Sequence, residues 1–599
     1  MCGIIGYVRH DGGDSVLDVL LTGLTRLEYR GYDSAGVAIA NGQLTVHKRQ
    51  GELSQLKNVL DDVEVAGQLG IGHTRWSTHG RPSDKNAHPH ADCEGNVIVV
   101  HNGIIENYQA LREELTAAGH TFSSETDTEV IPHLIEESLR AGVAPAEAFR
   151  SAINRLQGSY AVAAIIQSDG ERLYGARNES PLVIGHGDNG NYLGSDVPAF
   201  IDFTDRVTYL SDGDFVEVSA DGVKVTDSTG AEIEKTIDFI EWDAEDAGKS
   251  GYEHFMLKEI HEQPTAIRSC LRNRIEELSA TIDIPELAGV SLDQGVQFVA
   301  CGTSYHAALY GARLLQRHGV LAQCFLASEY DPTQLPVPDG TVVIGVSQSG
   351  ETADTLGALR KANRVGAETL AITNVVESSI VRESDYTMYI RAGPEIGVAA
   401  TKTFGSQVVA LAMLAAVLTD SVSHELLEAL RGLPDHIQQI LDRSSAAELA
   451  EKYVDADAYF FIGRGGNVPV ALEGALKMKE ITYKHAEGFA AGELKHGPLA
   501  LVTENTPVIA LVTAGNSPEK TLNNIKEVQA RDAPVIAVTD MPDRVSSYTE
   551  NILPIQSSDP TLVPLLANVQ LQLLSYWVAN NLGRSIDKPR NLAKSVTVE

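Results

Sequence analysis

The sequence is poor in cysteine, tryptophan and positive charge. Its five cysteines, Cys2, Cys93, Cys270, Cys301 and Cys324, are odd in number, scattered, and lack any Cys-x-x-Cys spacing. This argues against a disulfide framework or a zinc knuckle and fits a reducing cytoplasm. Lys and Arg number 47 against 81 Asp and Glu, a formal charge of −34. Nucleic acid is therefore not an expected partner, because phosphate backbones require a basic footprint. An anionic small molecule can still sit in a locally positive pocket. No run reaches the roughly 18 apolar residues of a membrane span. The start, Met1-Cys2-Gly3-Ile4-Ile5-Gly6, has no basic segment leading into an apolar one, so no signal peptide is expected. The expected location is the cytoplasm, away from membranes.

A chain of 599 residues with 43% hydrophobic and 21% charged content is ordinary for globular protein but too long for one core. Short apolar runs such as Gly3–Val8, Ala35–Ala40, Gln68–His73 and Asn96–His101 read as strands. Gln109–Ala118 and Thr128–Leu139 have helical spacing, so the first part reads as a layered α+β domain over residues 2–220. Residues 221–250 turn acidic and lose periodicity, which reads as a linker with one short strand near Phe239–Trp242. Beyond it, helices alternate with buried-looking strands (Val296–Ala300, Val342–Val346, Thr369–Ile372), the texture of parallel α/β sheets. An internal repeat runs through this half. Val342-Val343-Ile344 and Val508-Ile509-Ala510 start segments that align without a gap through Ile372-Thr373-Asn374 and Val538-Thr539-Asp540. Two copies are expected, over 285–425 and 452–590, followed by a tail over 591–599.

Loss of Met1 would give Cys2 a free α-amine beside its thiol. An α-amine titrates near about 8 and a thiol near about 8.5, so the amine can serve as base for its own residue. Position alone is weak evidence. It is joined by Arg26-Leu27-Glu28-Tyr29-Arg30-Gly31-Tyr32-Asp33-Ser34-Ala35-Gly36, His73-Thr74-Arg75-Trp76-Ser77-Thr78-His79-Gly80, Asn86-Ala87-His88-Pro89-His90 and His101-Asn102-Gly103-Ile104-Ile105-Glu106-Asn107. These blocks resemble the class II glutamine amidotransferase domain, an αββα sandwich of the N-terminal-nucleophile hydrolases. The resemblance implies Cys2 as nucleophile, with the Asn102 side chain and Gly103 N–H as an oxyanion hole. It implies Arg75 on the substrate carboxylate, Asp127 on its ammonium, and Trp76, Thr78 and His79 lining the pocket. Read without it, Arg75 and Asp127 could be a surface or capping pair. His79, His88, His90, Cys93 and His101 match no standard zinc spacing, and no metal is expected.

Val346-Ser347-Gln348-Ser349-Gly350-Glu351-Thr352 follows a buried strand and opens a helix, where dipole and free N–H groups favour an anion. Cys301-Gly302-Thr303-Ser304 is a second such turn. Either alone reads as helix capping; together they resemble the sugar isomerase (SIS) domain. In the second copy the loop becomes Thr513-Ala514-Gly515-Asn516-Ser517-Pro518, so phosphate binding should rest on the first. Glu473, Lys477 and Glu480 share a helix face, Ala491-Gly492-Glu493-Leu494-Lys495-His496-Gly497-Pro498 follows, and the chain closes through Asn591-Leu592-Ala593-Lys594-Ser595.

With these motifs the chain resembles, over essentially its entire length, the glutamine–fructose-6-phosphate aminotransferase (isomerising) family. The resemblance implies nitrogen transfer from L-glutamine to D-fructose 6-phosphate, giving D-glucosamine 6-phosphate and L-glutamate, the first step of amino-sugar (UDP-N-acetylglucosamine, cell wall) synthesis. No cofactor is implied. Lys594 would form a Schiff base with the ketose, Glu480 move the C1–C2 proton with Lys477 beside it, and His496 open the ring. Thr303, Ser304, Ser347, Gln348, Ser349 and Thr352 would hold the sugar phosphate, with backbone contacts from Val398 and Ala593. A homodimer with His496 supplied across the interface, and an ammonia passage gated by Trp76 with Tyr32 shielding glutamine, are also implied. Ala400 stands where relatives can carry serine. A Ser-Gly-Gly-x-Asp-Ser pyrophosphatase loop and a phosphoribosyl-transfer motif, expected of other amidotransferases, are not found.

Overall fold

The strand Gly3–Arg9 shows how the first unit is built. Its residues are apolar on both faces, and alternate side chains of a strand point to opposite sides. Ile4 and Val8 accordingly enter one core with Ile71, Ile98, Val100, Ala161 and Ala163, while Ile5 and Tyr7 enter another with Val16, Leu20 and Leu24. The first of these cores is the seam between two sheets. The second packs the helices Val16–Leu27 and Leu53–Leu60 on the outside of the first sheet. A third core packs Tyr108–Ala117, Val130–Arg140 and Pro145–Ile153 on the outside of the second. Four layers, αββα, result.

This computed structural model describes residues 2–60, 67–76, 79–240, 248–275, 281–335, 337–376 and 378–597. The chain falls into two compact units, Met1–Ala247 with Ala593–Val598, and Gly248–Leu592. Among the described residues, the first unit's eight-stranded sheet places Gly3–Arg9 between Gly190–Gly194 and Leu69–Arg75, all antiparallel. In its six-stranded sheet Gly158–Ile166 lies between Val97–Ile105 and Arg172–Asn178. The segment expected to be a linker contributes to both. Val223–Thr226 pairs with Phe215–Ser219, and Asp238–Phe239 with Arg206–Tyr209. These are half-exposed edge strands of four and two residues, too short to show as a periodic run. Residues 241–247, including the end of the expected strand at Phe239–Trp242, lie outside the described residues.

The second unit holds two five-stranded parallel sheets of the same topology. In the first the order is Ala322–Leu326, Val296–Ala300, Val342–Ser347, Glu368–Thr373, Tyr386–Tyr389. In the second it is His485–Ala490, Ala458–Gly463, Val508–Val512, Val535–Thr539, Ile552–Pro554. Numbered along the chain, both read 2-1-3-4-5. The order reverses between the first and third strands, and open parallel sheets bind ligands at that crevice. Thr355 and Leu356, and their repeat mates Thr521 and Leu522, are all buried, as an aligned repeat requires.

Candidate active sites

In the first unit, sheet register brings together the segments at Cys2, Ser34 and Arg75. Gly3 pairs with Thr74 and Ser34 with Arg75, which sets Cys2 against the chain at Trp76. The Trp76 N–H donates to Cys2 Sγ at 3.3 Å. Asn102, near the end of Val97–Ile105, donates from Nδ2 to the Cys2 carbonyl at 2.9 Å. Its Oδ1 lies 3.1 Å from His73 Nε2, so the buried imidazole fixes which way the amide faces. Gly103 has φ +118, and a Cβ there would meet the Ser159 carbonyl oxygen at 1.9 Å. Only glycine fits this point, which keeps the backbone beside Asn102 open.

Arg75 is buried. One of its terminal nitrogens donates to the carbonyls of His79 and Gly80, while Nη1 has no hydrogen-bond partner among the described residues. Burial lowers the guanidinium's proton affinity, opposed by the charges of Cys2, Asp127 and Asp33, which places the cation within electrostatic reach of all three. Asp127 is buried too, and accepts the Ile105 N–H at 2.8 Å rather than capping a helix; the helix begins only at Val130. Thr78 lies outside the described residues.

The histidines of these blocks form a buried hydrogen-bonded group. Thr128 Oγ1 bridges His101 Nδ1 (2.9 Å) and His88 Nε2 (3.2 Å), and Thr126 Oγ1 lies 3.1 Å from His90 Nε2. Burial pushes His73 down to about 3 and lowers His88, His90 and His101 as well. All four imidazoles are neutral, so they add no cation beside Arg75. A consequence for acid stability follows. Their folded values lie below the ordinary 6.5, so the unfolded chain binds more protons as pH falls below it. Stability present above pH 6.5 is lost progressively toward about 3, the value of His73, at up to about 1.4 kcal/mol per pH unit for each histidine. Calorimetry of the wild type against His90→Asn should show a shallower acid slope in the variant; parallel slopes refute this account.

In the second unit, the crevice between Val296–Ala300 and Val342–Ser347 brings together the turns at Cys301–Ser304 and Ser347–Thr352. The helices that follow, Gly302–Arg317 and Ala353–Arg364, have no side-chain cap on their first N–H groups. Ser347 Oγ lies 3.0 Å from Thr352 Oγ1 and accepts the Gly350 N–H at 3.1 Å; Ser349 Oγ accepts the Glu351 N–H at 3.2 Å. Gln348, Ser349 and Thr352 are half-buried. The matching crevice of the second copy is closed by its own side chains. Asn467 and Asn516 both donate to Thr513 Oγ1, at 2.9 and 3.1 Å, and Asn516 Oδ1 accepts the Gly466 N–H at 2.9 Å.

That copy instead lends its helix Asn467–Thr482 to the first. Lys477, fully buried, pairs with Glu480 at 2.6 Å and Glu473 at 3.4 Å, and donates to Thr303 Oγ1 at 3.0 Å. Thr303 donates to Glu473 Oε1 at 3.0 Å, whose other oxygen lies 2.7 Å from His306 Nδ1. Burial, the largest influence, pushes the Lys477 ammonium down, but the Glu480 and Glu473 carboxylates outweigh it and its affinity for the proton is raised. Ser304 accepts from Gln407 Nε2 at 3.0 Å, and the Val398 N–H donates to the Asp587 carbonyl at 3.2 Å. His306 was not singled out in the sequence; its place three residues after Thr303 on one helix face is the signal that would have found it. His496 is exposed, Ala400 half-buried, and Ala593 and Lys594, both half-buried, group with the first unit.

Family models agree with this division. Residues 73–202 match the glutamine amidotransferase domain, and 294–417 and 452–582 each match the SIS domain. The chain is 50% identical to glutamine–fructose-6-phosphate aminotransferase (isomerizing) of Halobacterium salinarum, with 100% of both chains covered. The protein of that name from Methanosarcina acetivorans is 48% identical at the same coverage. This chain belongs to the glutamine–fructose-6-phosphate aminotransferase family. Among solved structures, the C-terminal domain of glucosamine-fructose-6-phosphate aminotransferase from Francisella tularensis matches with TM-score 0.53 and 37% identity, covering 57% of this chain and 100% of that one. Among the described residues, no helix is long and apolar enough to cross a membrane.

Proposed function

We propose that this chain transfers the amide nitrogen of L-glutamine to D-fructose 6-phosphate and isomerises the product, releasing L-glutamate and D-glucosamine 6-phosphate. The observation that carries this reading is the pairing, in one chain, of the Cys2–Asn102–Arg75 constellation with a hydroxyl-lined crevice in a family member matched end to end. In the first half, the α-amine of Cys2, freed by loss of Met1, takes the thiol proton as sulfur attacks the amide carbon. Asn102 Nδ2 and the Gly103 N–H receive the developing oxyanion, and ammonia leaves. Water then releases glutamate. Arg75 Nη1 holds the substrate carboxylate and Asp127 its ammonium, with Trp76, Thr78 and His79 around them.

In the second half, Ser347, Gln348, Ser349 and Thr352 hold the phosphate at the uncapped helix start, with Thr303, Ser304 and the backbones of Val398 and Ala593 around the sugar. The Lys594 amine condenses with the C2 ketone, losing water, and ammonia displaces it. Glu480 carries the proton from C1 to C2, its charge balanced by Lys477. Ring opening falls to His496 of the partner subunit, which makes a homodimer the working form. Incubating pure protein with both substrates should yield glutamate and amino sugar phosphate in equal amounts. Glutamate without amino sugar, across several ketose phosphates, would sink the second half of this reading.

A further inference from the structure

Four side chains of the first unit converge away from the glutamine site. Cys93 lies in the turn after the strand His90–Ala91, and His120 follows the helix Tyr108–Ala117. His133 and Glu136 stand three residues apart on Val130–Arg140 and so share a face. Cys93 Sγ is 3.7 Å from His120 Nδ1 and 3.6 Å from His133 Nδ1. Glu136 Oε2 is 2.9 Å from the first of those nitrogens and 3.2 Å from the second. All four donor atoms lie within 4.8 Å of one another. From this geometry we propose that Cys93, His120, His133 and Glu136 bind one structural zinc ion.

Zinc takes nitrogen and oxygen at about 2.0–2.2 Å and sulfur at about 2.3 Å, so the edges of its tetrahedron measure about 3.3–3.6 Å. The sulfur–nitrogen edges already match. The carboxylate–imidazole edges, 2.9 and 3.2 Å, are short by up to a few tenths of an ångström and the remaining edges lie within 4.8 Å, so binding moves the carboxylate oxygen outward and draws the farther donors inward. Charge agrees as well, because a thiolate, a carboxylate and two neutral imidazoles balance a divalent cation. The surroundings are those of a metal site. Arg140 pairs with the other oxygen of Glu136, Glu129 stands 4.0 Å from His133 Nε2, and the Phe122 ring packs edge-on against His133. His120, His133 and Glu136 are buried while Cys93 is exposed, which gives the ion a way in. The ion would tie three segments together and hold the stretch from His120 to Asp127 onto the second sheet. This departs from the metal-free reading of the sequence, which weighed Cys93 only with His79, His88, His90 and His101.

The test loads the full chain with Zn2+ and, separately, Co2+, then dialyses and measures metal content and absorption, in the wild type and in Cys93→Ser. The wild type should keep about one zinc per chain and show the intense tetrahedral cobalt bands with thiolate-to-cobalt charge transfer. Cys93→Ser should lose the charge-transfer band and bind zinc at least about 10-fold more weakly. Glu136→Gln is the second variant, and far-ultraviolet circular dichroism checks that both fold. Glutamine hydrolysis by Cys93→Ser should persist, since Cys93 touches none of the groups at Cys2. A wild type that retains no zinc, or a cobalt band unchanged in Cys93→Ser, overturns the assignment.

Discussion

Cys2→Ala should abolish glutamine hydrolysis, by about 10⁴-fold or more, and leave sugar-phosphate isomerisation unchanged. The substitution removes the atom that attacks the amide, and the oxyanion donors cannot replace it. It should cost little stability, because the half-buried thiol contacts only the Trp76 backbone among the hydrogen bonds described for it. The crevice between Val296–Ala300 and Val342–Ser347 belongs to a different compact unit with its own cores. Two assays on one preparation decide the matter: glutamate release, and interconversion of fructose 6-phosphate and glucose 6-phosphate. Loss of both activities would contradict two independent halves, and residual glutamate release near wild type would dismiss Cys2 as the nucleophile.

Lys477→Met should be as damaging in the other half. Methionine matches the side-chain length but leaves Glu473, with no exposed surface, facing Glu480 without the cation between them. Removing one member of a buried ionic group costs about 3–5 kcal/mol. The raised proton affinity of Lys477 fixes the sign of any pH effect. Its contribution is fully present below the ordinary 10.5 and fades only at higher pH. Thermal unfolding of the second unit should shift down, isomerisation should vanish, and glutamine hydrolysis should survive. Adding Glu473→Gln to Lys477→Met should recover stability without activity. Equal melting of Lys477→Met and wild type would refute the buried ionic group.

Much of the fold was legible in the sequence because apolar strands alternate with turns that carry the proposed site residues. Antiparallel register brings the Cys2 and Arg75 blocks together, and face-to-face packing of the two sheets, on apolar residues such as Ile4, Ile71, Ile98 and Val100, brings Asn102 to them. The repeat was equally legible: strands of buried aliphatic residues recur in step, and both sheets share one strand order. Three things were hidden. The edge strands Val223–Thr226 and Asp238–Phe239, four and two residues long, are too short to stand out from a linker. The Glu473, Lys477 and Glu480 face reads equally as a surface salt bridge, and burial by the facing helix Gly302–Arg317 is a tertiary fact. Cys93, His120, His133 and Glu136 meet through folding of three separate segments, so no local pattern announces them.

The bonds from Glu473 to Thr303 and His306 bear on the ancestry of the doubled half. A single-sheet ancestor pairing with itself would have carried two equivalent crevices. Here one crevice is plugged by Asn467, Thr513 and Asn516, while the helix beside it supplies charge to the other. One shared core takes in Ile344 and Phe298 from one copy and Ile509 and Phe461 from its sister. Dissection of this molecule between the twins would therefore cut through one shared core.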